Sequence, residues 1–249
     1  MDSTNFKRLV ETVEIFDGLG VFEIRGGLNA DGRGRFESCL FFEARPIVLS
    51  FPDYQGSIGQ YLVESDDHEY QQAARQLISL QNLELGTDTS LAAQLQPLLK
   101  LFSSGTYKIV YHWLEDDWCV GDLPRTEKPI ESSYYPNITV LVRTVASEEL
   151  DVARVLWWRD EIASGKRPPI VTVKQEGAEC SFIIDGHHRL EAYIMLSLSP
   201  PVVAIQSLNI NPVSVDEVAA LLEPFPSLLE DFGRRGANLD GARPSSDDD

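Results

Sequence analysis

The chain has 249 residues, 43% of them hydrophobic, and a formal charge of −18. That apolar share is ordinary for a globular protein with a core, and no stretch approaches the roughly 20 apolar residues needed to cross a bilayer. The first eight residues are polar and lack the apolar run of a signal peptide, so the expected location is the cytoplasm and no membrane partner is expected. An acidic surface repels a phosphate backbone, which disfavours nucleic acid as a partner. A small anion can still be held by a local nest of N–H groups and one or two cations. Cys39, Cys119 and Cys180 are scattered, with no CxxC pair, and read as thiols of a reducing compartment.

In chain order, residues 16–25 and 36–51 are aromatic and β-branched and predict strands, joined by the turn-rich run 26–32. Residues 67–81 follow a helical pattern, with Ala73, Ala74, Leu77 and Ile78 on one face. Residues 90–102 predict a second helix, with capping candidates just before it, and 107–113 return to strand. Residues 121–137 carry three prolines and little periodicity and are expected to be a linker or long loop. Beyond it, 138–145 predicts a strand and 147–162 a helix, with Ser147 as N-cap and Glu148 and Glu149 in its first turn. Gly165 ends that helix, and Pro168-Pro169 lead into a strand over 170–173. A strand over 180–184, a helix over 190–196, a strand over 202–205 and a C-terminal helix over 213–229 complete the series. The expected class is α/β (α+β). The expected division is an N-terminal α+β region of unnamed fold over 1–136, a second domain over 137–232, and a disordered acidic tail over 233–249.

The chemistry concentrates at Asp185-Gly186-His187-His188-Arg189, between an apolar strand and an apolar helix. Glycine lets the backbone pass close to a ligand, and the first N–H groups of a helix point outward toward an anion. The two histidines and the arginine add side-chain donors, and arginine can grip phosphate oxygens in two places. The competing reading is a common Asp-Gly turn followed by a solvated helix start. A zinc site is disfavoured: adjacent helix residues point about 100° apart, HExxH spacing is absent, and His68 and His112 are distant in sequence. No metal held by protein ligands alone is expected. Glu148 is either a charge favourable at a helix start or a general base facing the phosphate loop. Trp157-Trp158 reads as core packing with one exposed edge, or as the aromatic wall of a pocket.

Over residues 137–207 these features resemble the ParB/sulfiredoxin-like superfamily: Pro168-Pro169-Ile170, the strand into Asp185, then Gly186-x-x-Arg189-x-x-Ala192 and a final proline-led strand. The resemblance implies a small mixed sheet with flanking helices and a phosphate-contacting GxxRxxA box. Sulfiredoxins carry a catalytic cysteine directly after the glycine, where this chain has His187. Chromosome-partitioning members carry GERRxxA, a second arginine-rich box that binds CTP, and a helix-turn-helix module. Here His187 and His188 replace the Glu-Arg pair, and the other two features are missing. Free serine kinases of the superfamily carry DGHHR itself. That likeness implies a nucleotide (ATP, ADP or CTP) with Mg²⁺ and a small-molecule acceptor as partners. It also implies phosphate binding by Gly186, His187, His188 and Arg189, and catalytic roles for Asp185 and Glu148. The expected function is a nucleotide-dependent phosphotransferase; the alternative is a regulatory module that binds nucleotide without turnover.

Overall fold

The computed structural model describes residues 8–27, 37–52, 60–64, 68–79, 90–114, 118–121, 139–145, 147–178, 180–211, 213, 215–224, 226–227 and 229–230. The expected tail and almost all of the expected 121–137 linker lie outside them. The strands are β1 Leu9–Ile15, β2 Phe22–Gly27, β3 Glu37–Phe42, β4 Arg45–Pro52, β5 Gln60–Glu64, β6 Gly105–Trp113, β7 Trp118–Gly121, β8 Thr139–Arg143, β9 Ile170–Gln175, β10 Cys180–Asp185 and β11 Pro201–Ser207. The helices are α1 His68–Ser79, α2 Leu91–Leu99, α3 Val152–Ala163, α4 His187–Met195 and α5 Val215–Leu222, with a 3₁₀ turn at Ser147–Glu149. The fold is mixed α and β, as the pattern of strands and helices predicts.

Seven strands form one mixed sheet in the order β1-β6-β11-β9-β10-β8-β7. β11 runs parallel to β9, and β8 runs parallel to both β10 and β7, while the other neighbours are antiparallel. β2-β3-β4-β5 form a second, antiparallel sheet. The large sheet takes β1, β6 and β7 from before residue 137 and the rest from after it. The expected division at 136/137 therefore cuts through a continuous hydrogen-bonded sheet.

The central strands are buried on both faces, and the period of two decides which core each side chain joins. Cys180, Phe182 and Ile184 of β10, Val171 and Val173 of β9, and Val203 and Ile205 of β11 face the second sheet with α1 and α2. Ile183, Ile170, Val202 and Ala204, on the opposite face, pack against Leu190 of α4. Leu150, Val155 and Ile162 close on Ala192 and Tyr193, which joins α3 to α4.

Several elements differ from the sequence reading. The run 36–51 is split by a two-residue turn at Glu43-Ala44, both at positive φ (46° and 63°). The strand expected over 16–25 begins only at Phe22, as β2, with 16–21 irregular, and β1 is a further strand that the sequence reading did not contain. The expected helix over 147–162 starts later, at Val152. Its N-cap is Asp151, whose Oδ1 accepts from the N–H groups of Ala153 and Arg154 at 2.9 and 3.4 Å. Glu148 and Glu149 stand on the separate 3₁₀ turn instead of in the first turn of α3. α4 starts three residues earlier than expected.

Candidate functional site

β10 is an interior strand, and it ends at Asp185. Gly186 turns the chain at φ +100°, in the left-handed region that favours glycine. A Cβ here would also stand 3.0 Å from Arg189 Nε and from Ile170 Cγ2. Glycine is therefore required twice, by the dihedral and by the side chains beneath it. The Leu190 N–H donates to the Gly186 carbonyl at 2.8 Å and opens α4. The Asp185-to-Arg189 run thus spans a strand end, a turn and the first turn of a helix, the order the phosphate-loop reading requires. The starts of α2 and α3 carry side-chain caps from Ser90 and Asp151, whereas Gly186 supplies none to α4.

The five residues divide by helical phase. His187 is buried, and its Nε2 accepts the Thr144 N–H at 3.2 Å. Thr144 Oγ1 donates to the Ile183 carbonyl at 2.6 Å, so the acceptor role of His187 Nε2 assigns the ring proton to Nδ1. Burial, with Arg75 next in effect, pushes its pKa down to about 3, and the ring is neutral. Its ring ties β8 to α4; what it offers outward is its backbone N–H. His188 lies about 100° further round the helix. Its Nε2 accepts the Asp151 N–H at 3.2 Å, and burial followed by the nearby Arg154 charge lowers its pKa.

Arg189 is also buried. It donates to Asp185 Oδ2 at 2.5 Å, and its guanidinium lies 5.5 Å from the Trp158 ring. Asp185 keeps about a third of its side chain exposed beside the turn. Glu148 is exposed on its 3₁₀ turn, where Ser147 Oγ donates to its Oε2 at 3.3 Å. The His188–Asp151 bond ties the Glu148 segment to the DGHHR turn. Glu149 pairs with Arg75 of α1 at 3.0 Å, which ties the same segment to the N-terminal half.

Sequence reasoning passed over Arg75, Arg143, Thr144, Asp151, Arg154 and Glu191. Arg143 is buried and donates to Glu191 Oε2 at 2.6 Å. Arg75, Arg143 and Arg189 gather near the His187 ring at this strand end, each paired with a carboxylate, Glu149, Glu191 and Asp185 respectively. Asp151 carried a legible signal, an N-cap residue directly before a helical run. Arg75 carried none, because it reaches the site only through the fold.

A pocket between α1, the second sheet and the ends of β8 and β10 is lined by Leu40, Val48, Ala74, Arg75, Thr144 and Ile184, among others, and by no residue of the Asp185-to-Arg189 run. Among the described residues no three His, Cys, Asp or Glu side chains converge as metal ligands, and no helix is long and apolar enough to cross a membrane. Comparison with family models, with curated proteins and with solved structures finds no match.

Proposed function

We propose that this chain is a nucleotide-dependent phosphotransferase, a small-molecule kinase that receives nucleotide phosphates at the start of α4. One observation carries the reading: a strand ends in a left-handed glycine and a helix start without a side-chain cap, with a carboxylate about a third exposed beside it and a second acidic turn bonded across by His188. Phosphoryl transfer asks a protein chiefly for positioning and charge neutralisation, plus a group to accept the acceptor's proton. The N–H groups of His187 and His188 and the helix dipole supply the first two, with the Arg189 guanidinium beside them. Mg²⁺ is commonly held by one or two carboxylates together with substrate phosphates, and Asp185 is the carboxylate at the turn that fits this role; the ion supplies charge neutralisation when bound. Glu148 is the proposed base, exposed on the neighbouring turn. The likeness of DGHHR to free serine kinases makes free serine the first acceptor to try.

A second reading, a nucleotide-binding regulatory module without turnover, is favoured by the commitment of Asp185 to Arg189 and of the His187 ring to Thr144. Phosphorus NMR on the protein with Mg²⁺, free serine and each of ATP, ADP and CTP separates the two. A new phosphoester signal supports the kinase. Binding without product supports the module. No binding of any nucleotide rejects both.

A further inference from the structure

The phosphate reading leaves the other half of a nucleotide without a seat. We propose that α3 supplies it: the exposed indole of Trp157 stacks the nucleobase, and Arg154 lies along the polyphosphate between that ring and the α4 turn. This inference rests on the proposed nucleotide site and deepens it.

Three observations meet here. Trp157 is 54% exposed although it is among the largest apolar side chains, and it sits on a helix that packs on α4. An exposed indole beside a phosphate site offers a flat aromatic face on which a base can stack. Second, it is connected to the turn through rings. The Arg189 guanidinium stands 5.5 Å from the Trp158 ring, and the Trp158 and Trp157 centroids are 4.6 Å apart at 69°. An edge-to-face contact with Trp158 covers at most one face of Trp157, and 54% of the residue stays exposed. Trp158 fixes its neighbour, so little ordering is needed when a base arrives. The two steps together lie within the reach of one extended nucleotide. Third, Arg154 precedes Trp157 by three residues and Trp158 by four, which makes it a neighbour of both on the surface of α3. His188 at the turn accepts the Asp151 N–H at 3.2 Å, one helical turn before Arg154, so this face of α3 runs from the phosphate end to the indole. Arg154 is exposed.

Stacking reads a π-face that every base has, so this seat favours nucleotides over free polyphosphate without choosing strongly among bases. Calorimetry on the full chain with ATP and with inorganic tripolyphosphate tests it, using the parent, Trp157→Ala and Trp157→Phe. A base–aromatic contact corresponds to about tenfold or more in affinity. The expected result is that Trp157→Ala weakens ATP by that factor and leaves tripolyphosphate unchanged, while Trp157→Phe stays close to the parent for both. Because Trp157 is largely exposed, its loss leaves the fold intact, and an unchanged melting curve checks this. ATP binding equally well to parent and Trp157→Ala overturns the inference but keeps the phosphate site. So does a parent that binds tripolyphosphate as tightly as ATP. A parent that binds neither ligand overturns both the inference and the nucleotide site beneath it.

Discussion

Two adjacent histidines of one motif meet opposite fates, because about 100° of helix rotation sends His187 to Thr144 at the end of β8 and His188 toward α3. The stability of the protein should report the first. An unfolded histidine titrates near 6.5, and folded His187 near 3, so the unfolded chain binds the extra proton between those values. Stability from this group is present above about pH 6.5 and is lost as pH falls toward about 3. Urea midpoints measured at pH 7, 5 and 4 should fall less steeply in His187→Gln than in the parent, and parallel slopes would remove His187 as the cause. At the same scale, Glu148→Gln keeps shape and reach but takes no proton. Turnover should drop by roughly 10²–10⁴-fold with nucleotide affinity little changed. Glu149→Gln, whose amide can still reach Arg75, should stay within a few-fold. Full activity in Glu148→Gln would move the base to Asp185. The motif itself was legible in the sequence, as Asp185, Gly186 and the helix behind them show. The roles inside it were not, because Thr144, Arg75 and Arg143 come to His187 from other elements.

Among the elements, those with strong periodicity were read closely, and those set by an unusual turn were missed. β8, β9, β10 and β11 follow from apolar runs bounded by Gly or Pro. The β3–β4 hairpin does not, because its turn is Glu43-Ala44, where the favoured signal for two positive φ values is Asn-Gly. The backbone accepts the geometry at a cost that the paired strands cover. Replacing Glu43-Ala44 by Asn-Gly should therefore raise stability by about 1 kcal/mol, a gain of roughly 2–4 °C in Tm for a chain of this size. A lower Tm by differential scanning calorimetry would show that Glu43 or Ala44 makes a contact worth more than the relief. The start of α3 was misplaced for a related reason: Ser147 and Asp151 are both capping residues, and only the buried contacts of Leu150 and Val155 decide between them.

At the scale of the molecule, the division at 136/137 failed to anticipate that one sheet is woven from both halves. The break in composition is real, but strand pairing ignores it, since β6 lies against β11 along seven paired positions from Pro201 to Ser207. Residues 137–249 expressed alone should consequently give no cooperative thermal transition by circular dichroism, because β11 loses its antiparallel neighbour and its edge is laid open. A sharp transition in that fragment would establish the C-terminal part as self-sufficient. The same pairing sets an order of events on the ribosome. The β1–β6 pair is synthesised first, and the side of β6 that β11 will occupy stays open until residue 207 has been added. Through all that time the nascent chain carries an unsatisfied strand edge, and β11, which sets β6 beside β9, is the last of the described strands to be delivered. Synthesis rate and chaperone supply, more than the stability of the finished fold, should therefore govern how much intact protein a cell obtains.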